Sequence, residues 1–274
     1  MIFSNRQTAG RAALRLVMLS AVVALLGACA PVPVHNPLAT WTPSPNYNQR
    51  APFLIVIHFT QDSTLQQALH ELRTRNSGGP VSAHYLVGKD GHIYQLVADR
   101  KRAWQAGSGR WGTITDLNSA SIGIEIDNNG DEPFAQAQIQ SLLRLLTDLC
   151  DRWHIPRTQI IGHEDLAPTR RSDPGQYFPW QELAAHGFGL WPKGELVDPP
   201  PGFDPWTAMA AIGYSLGNRG AAVHAFHNHF RGMGSNSIPG NVIAGQPLHP
   251  WSEDKLDAQD LRILYALVRQ LGDA

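Results

Sequence analysis

The sequence is poor in charge, in cysteine and in long apolar runs. Only 16% of its 274 residues are Asp, Glu, Lys or Arg, and the formal net charge is −1. Nothing in that balance calls for a nucleic-acid partner. Cysteine occurs only at Cys29 and Cys150, too few for a scaffold held by disulfides. The apolar stretch Leu16 to Leu26 is too short to span a bilayer comfortably. With 43% hydrophobic residues the chain is an ordinary globular one, and its length suits one medium domain plus a small one.

Residues 1–28 read as a secretory signal. Arg6, Arg11 and Arg15 form a basic start before the apolar stretch. It ends in Leu26-Gly27-Ala28-Cys29, which resembles a bacterial lipobox. The expectation is cleavage before Cys29 and lipidation of its sulfur, since several acyl chains anchor stably where one is marginal. Ala30 in place of Asp points by the sorting rule to the outer membrane, facing the periplasm of a Gram-negative cell. The mature chain carries 19 basic against 23 acidic residues, a net charge of about −4. Cys150 is then alone and makes no internal disulfide. It falls on the helical stripe Ile139, Leu142, Leu143, Leu146, Cys150, Trp153 and reads as a buried small apolar residue. Residues 29–50, with Pro31, Pro33, Pro37, Pro43 and Pro45, read as a tether.

The rest is organised around 160–175. Ile160-Ile161 ends a buried strand, Gly162 breaks it, and His163 follows. A proline-containing loop then carries Arg170, Arg171 and Asp173. On their own, His163 could be a hydrogen-bonded strand-end histidine and Asp173 a turn residue. A second apolar run, Phe53 to Ile57, also ends in a histidine, His58. Two core strands each delivering a histidine at the carboxyl end is where sites form in sheet proteins. His58, His163 and Asp173 suit a divalent ion, zinc above all, and three ligands leave the fourth tetrahedral position open for catalysis.

Elsewhere the pattern predicts a helix over 64–75 and strands over 83–87 and 92–97 joined as a hairpin. A loop follows over 103–118, then a strand over 121–127, a helix near 135–153, a strand over 158–162 and a short helix over 180–186. This is α/β, with a mixed central sheet flanked by helices. The expected organisation is a catalytic domain over 51–195, a stiff linker over 196–204 and a small three-helix domain over 205–274.

Four motifs in this order carry a resemblance. They are V-I-H-F-T at 56–60, S-A-H-Y-L-V at 82–87, S-I-G-I-E-I at 121–126 and G-H-E-D-L-A-P-x-R-x-x-D-P-G at 162–175. Together they resemble the zinc-dependent N-acetylmuramoyl-L-alanine amidases, which share the fold of peptidoglycan recognition proteins. The strongest likeness is to the family's outer-membrane lipoprotein members. The resemblance implies hydrolysis of the bond between the lactyl group of N-acetylmuramic acid and L-alanine of the stem peptide. Peptidoglycan and muropeptides are the expected partners, and the enzyme is expected to act as a monomer.

Residue by residue, Glu125 matches the general base. The alternation of Ile122, Ile124 and Ile126 puts Glu125 and Asp127 on the other face, and a mid-strand glutamate is costly unless paired or working. Arg171 stands where relatives commonly carry an oxyanion-stabilising lysine, with Arg170 as the neighbouring alternative. Gln105 stands where relatives often carry histidine, near substrate. His84 reads as structural or substrate-lining, and Tyr85, Trp104 and Trp111 as a stacking wall or core aromatics. Ala225-Phe226-x-x-His229-Phe230-Arg231 resembles the core of small helical peptidoglycan-binding domains. His224, His227, His229 and His249 offer no fixed ligand geometry for a second metal. Two other functions stay open at this point: a non-catalytic muropeptide-recognition module of the same fold, and a zinc peptidase cutting within the stem peptide.

Overall fold

The computed structural model describes residues 35–49, 52–76, 79–232 and 255–272. Residues 1–28, where a signal sequence is expected, Cys29 and His249 lie outside the described residues. No described helix is long and apolar enough to cross a membrane.

A six-stranded mixed sheet carries the fold. Its strands are β1 (Thr40–Trp41), β3 (Leu54–Phe59), β6 (Tyr85–Val87), β7 (Ile93–Gln95), β9 (Ser121–Ile126) and β10 (Ile160–Gly162), in the order β1-β7-β6-β9-β3-β10. Only β6 and β7 pair antiparallel, as the predicted hairpin; the other pairs are parallel. Two small ladders flank the sheet, β2 (Tyr47–Gln49) with β8 (Lys101–Ala103) and β4 (Arg75–Asn76) with β5 (Gly79–Pro80). The helices in this part of the chain are α1 (Leu65–Glu71), α2 (Leu117–Ala120), α3 (Gln136–Trp153), α4 (His163–Leu166) and α5 (Trp180–Ala185).

The alternation of side chains decides what each face does. Ile55, Ile57, Ile122, Ile124 and Ile126 point to one face and pack on Ile139, Leu142, Leu145, Leu146 and Leu149 of α3. Cys150 is buried there, and burial pushes its thiol up to about 11, so it is an inert core residue. Leu54, Val56 and Ile161 point to the opposite face. His58, Glu125 and His163 share this second face, two residues further along or at the strand ends.

Among the described residues three C-terminal helices follow: α6 (Pro205–Ile212), α7 (Arg219–Arg231) and α8 (Ala258–Gly272). Asp204 and Asn218 cap the first two, each accepting from backbone N–H groups of the first turn. These helices close over the second face. Met209, Ile212, Phe226, Phe230, Leu264 and Leu267 share one core with Leu54, Val56 and Ile161.

Two expected boundaries therefore move. The described residues from His35 onward pack as one compact unit, and the expected linker is held against it by Leu196 and Phe203 and by an exposed Arg262–Asp198 ion pair. The buried apolar residues of α6, α7 and α8 belong to the core they share with the sheet. The expected tether also ends early. Asn36 is buried, donates to Asp148 (2.6 Å) and accepts Leu38 N–H, while its own N–H reaches Gln95. Beyond it β1 extends the sheet, and Ser82 donates to Asn46 O. The polar residues among the prolines make the edge contacts that composition alone hides.

Candidate metal centre and cavity

Three adjacent parallel strands deliver the site at their carboxyl ends. In the β3–β9 register His58 is the direct partner of Glu125, so both side chains leave the same face. Gly162 pairs with Ile57, which brings His163 level with His58. A loop returns Asp173 to this point, tied to the strand end by the Glu164 N–H to Asp173 O bond (2.8 Å).

The geometry is that of a ligand set. His58 Nδ1 lies 2.9 Å and His163 Nδ1 3.0 Å from the same oxygen, Asp173 Oδ2. One atom from each of the three residues falls within 4.8 Å of the others, and all three residues are buried. Among the described residues this is the one cluster of this kind.

The far side of each ring decides which nitrogen is free. His163 Nε2 faces Ala106 O at 2.9 Å. A carbonyl only accepts, so Nε2 carries the proton and Nδ1 keeps its lone pair. The same reasoning reaches His58 through a longer chain. Ser121 Oγ donates to Leu117 O (2.6 Å) and accepts from Gln105 Nε2 (2.6 Å). That orientation turns Gln105 Oε1 toward His58 Nε2, 2.6 Å away, so Nε2 is again the donor and Nδ1 again the free lone pair. Two neutral imidazoles and a carboxylate aimed at one point fit a zinc-type ion.

The same contacts set the electrostatics of the metal-free site. Burial opposes charge on Asp173, but the imidazoles of His163 and His58 hold its carboxyl well below the usual carboxylate range. Burial lowers His163 to about 4, against the pull of Asp173. Burial also opposes a proton on His58, but Glu125 and Asp173 raise it above 6.5. Glu125 is pushed up to about 7, mainly by burial and also by Asp173, with His58 and Arg171 pulling the other way. Its Oε2 is buried without a hydrogen-bond partner.

These groups open on a cavity of about 230 Å³ that contains the three cluster residues, Glu125, Arg171, Trp104 and Gln105. Arg171 enters it, and its Nε is buried with no partner. Arg170 is engaged elsewhere: its guanidinium donates to Ala106 O and Ser108 O at 2.6 Å. The two neighbouring arginines thus divide into one facing the cavity and one holding the loop that orients His163.

Of the five expected substrate contacts, Trp104 and Gln105 line the cavity. The other three do not. His84 is fully buried, accepts from Gly123 N–H through Nδ1 and donates to Lys101 O through Nε2, both at 3.0 Å. Tyr85 is a core residue whose hydroxyl donates to Asp99 (2.6 Å). Trp111 packs edge-on against Tyr214, with ring centroids 5.2 Å apart, over Gly213, where a Cβ would sit 2.4 Å from the indole. Gln105 itself is turned to His58 as well as to the cavity. Gly123 makes room for it, since a Cβ there would lie 2.5 Å from Gln105 Cγ.

Sequence reasoning missed Asp62 and Glu71, which also line the cavity. Burial, with Glu71 and Asp127 nearby, raises Asp62 to about 6. Its position four residues after His58, just past a strand end, was the available signal. Asp127, on the same face as Glu125 by alternation, lies beyond the end of β9 and outside the cavity lining.

Comparison with known proteins agrees with this geometry. A family model described as N-acetylmuramoyl-L-alanine amidase matches residues 48–176. The chain is 40% identical over 162 residues to the N-acetylmuramoyl-L-alanine amidase AmiD of Escherichia coli K12, covering 53% of this chain and 56% of that protein. It is 33% identical over 159 residues to the 1,6-anhydro-N-acetylmuramyl-L-alanine amidase AmpD of the same organism, covering 50% of this chain and 86% of AmpD. The match thus spans little more than half the length of AmiD. Among solved structures, the complex of E. coli AmiD with the substrate anhydro-N-acetylmuramic acid-L-Ala-D-gamma-Glu-L-Lys superposes with a TM-score of 0.66 at 31% identity. It covers 83% of this chain and 92% of that one.

Proposed function

The chain belongs to the N-acetylmuramoyl-L-alanine amidase family, and from that premise we propose that it hydrolyses the amide between the lactyl carbonyl of N-acetylmuramic acid and the L-alanine of the stem peptide. The observation that carries the reading is the convergence of two imidazole Nδ1 atoms and Asp173 Oδ2 beside a buried, unpartnered Glu125 oxygen, at the wall of one open cavity. Peptidoglycan fragments are the proposed substrates, in keeping with the muropeptide held by the related AmiD complex.

His58, His163 and Asp173 would hold a zinc ion. Bound there, zinc supplies Lewis-acid polarisation of a carbonyl and acidification of a water. The protein's own residues do the rest. Gln105 and the Ala106 carbonyl keep both imidazoles in the ligating tautomer. Glu125, at the cavity wall beside the three proposed ligands and with Oε2 unpartnered, is placed to accept a proton from the attacking water and return it to the leaving nitrogen. Oxygen adds to the carbonyl carbon, the C–N bond breaks, and a free lactyl carboxylate and a free alanine amine leave. Arg171 faces the cavity with an unused N–H and is placed to donate to the carbonyl oxygen as negative charge develops on it.

The lipobox-like Leu26-Gly27-Ala28-Cys29 supports anchoring at Cys29 in the outer membrane, facing the periplasm. Cys29→Ser should move the protein from the detergent to the aqueous phase of a partition experiment.

Mass spectrometry of a muropeptide digest tests the activity. The expected products are a sugar with a free lactyl carboxylate and a stem peptide beginning at L-alanine. Products cut within the stem would make the chain a peptidase. Intact substrate with a zinc-loaded protein would make it a recognition module.

A further inference from the structure

The metal loop is built around two carboxylates that are not ligands. Glu164 and Asp165 directly follow His163 and are fully buried. Asp165 Oδ2 accepts from Gly162 N–H (2.7 Å), which locks the end of β10. Glu164 Oε1 accepts from Gly175 N–H (3.3 Å), and its own N–H donates to Asp173 O. Glu164 thus ties the His163 side of the loop to the Asp173 side.

The remaining donors to these carboxylates come from the C-terminal segment. Asn228 Nδ2 donates to Glu164 Oε2. Tyr214 OH donates to Asp165 Oδ1 (2.6 Å), and His229 Nδ1 donates to Asp165 Oδ2 (2.7 Å). The three donors are themselves buried. His229 is stacked on Trp180, with centroids 3.8 Å apart and planes 7° apart, and lies against Phe230 on its own helix, so its direction is set by packing. All three residues lie outside the segment 48–176 that the amidase family model matches. The stretch that resembles the core of a peptidoglycan-binding domain, Ala225 to Phe230, turns Ala225, Phe226, Asn228, His229 and Phe230 inward.

We propose that the C-terminal helices are the inner half of the metal site, with Tyr214, Asn228 and His229 acting as positioning residues that set the spacing of His163 and Asp173 through Asp165 and Glu164. A buried carboxylate that loses a donor relaxes toward whatever partner it can find. Here the available motion is the loop that carries two of the three ligands. Supports one step removed from a metal typically change its affinity by about 10–100-fold when lost. The proposal rests on the metal reading of His58, His163 and Asp173 and is independent of which bond the enzyme cuts.

Zinc affinity of the full mature chain, measured by competition with a chromophoric chelator, tests it, alongside the melting temperature of the metal-free protein. Tyr214→Phe removes one hydroxyl without changing shape, and Asn228→Leu removes one amide. Leu264→Ala, in the tail core and away from the loop, is the control for a loss of stability alone. The expected result is a zinc Kd raised about 10-fold or more in Tyr214→Phe and Asn228→Leu, with Leu264→Ala melting lower but holding zinc within about twofold of wild type. Unchanged zinc affinity in Tyr214→Phe and Asn228→Leu would overturn the proposal. So would an equal loss in Leu264→Ala, because the effect would then be general stability. A wild-type chain that binds no zinc removes this proposal and the metal reading together. A wild-type chain that binds zinc tightly but cuts nothing removes only the amidase reading.

Discussion

Glu125 is asked to be buried and yet to ionise, and Glu125→Gln separates those two demands. Burial beside Asp173 lifts its carboxyl from 4.5 to about 7. At about 1.4 kcal/mol per pH unit, keeping the ionised form inside the metal-free fold costs about 3 kcal/mol above pH 7. The sign follows from the direction of the shift. A raised carboxyl favours the fold fully below pH 4.5, where both states are protonated. That advantage fades as pH rises from 4.5 to about 7 and is gone above it. Glutamine never ionises, so the metal-free variant should match wild type near pH 4 and exceed it at pH 8. For a chain of this size the gain is roughly 6–12 °C in melting temperature. Adding zinc should shrink the difference, because a dication beside Glu125 favours the carboxylate. Turnover should move the other way and fall by roughly 10²–10⁴-fold with zinc content intact. The assays are calorimetry of chelator-treated protein at both pH values and single-turnover cleavage of a muropeptide. A stability gain of the same size at pH 4 and pH 8 would refute burial of charge as its cause. Unchanged turnover would refute the assignment of Glu125 as base.

The other predictions concern the groups around it. Arg171→Ala should lower kcat by roughly 10²–10³-fold with KM and zinc content nearly unchanged, and Arg171→Lys should keep much of the rate. Arg170→Ala should act differently, lowering melting temperature and zinc affinity because Ala106 O and Ser108 O lose their shared donor; a pure kcat effect there would exchange the two roles. Asp173→Asn should lose zinc on dialysis, read by metal analysis, and full occupancy would reject Asp173 as a ligand. Gly123→Ala should push Gln105 off His58, since the added Cβ would meet Gln105 Cγ at 2.5 Å. A zinc Kd raised about 10-fold or more is expected there, and an unchanged Kd would show that His58 needs no help from Gln105.

Much of this site could be read along the chain because its main parts are local. An apolar run ending in histidine reads as a strand delivering a candidate ligand, and the carboxyl ends of β3 and β10 do bring His58 and His163 together on Asp173. The alternation in Ser121–Ile126 separates Glu125 from the isoleucines at a period of two. The helix α3 is visible at a period of 3.6 in its apolar stripe from Ile139 to Trp153. Each of these signals depends only on residues a few positions apart.

What the tertiary structure decided is which polar group meets which, over separations no local pattern records. Gln105 and His58 are 47 positions apart, and Asn228 and Glu164 are 64. Nothing near His84 or Trp111 in the chain says that one latches Gly123 and the other covers Gly213, so both looked available for substrate. The tail looked like a separate domain because prolines precede it and its helices are amphipathic. An amphipathic stripe specifies that a face will be buried but not what will bury it. Here that partner is the sheet face carrying His58 and His163. Period and composition report the hydrophobic surface a segment must hide, whereas the buried carboxylates Glu164 and Asp165 had to find donors wherever the folded chain placed them.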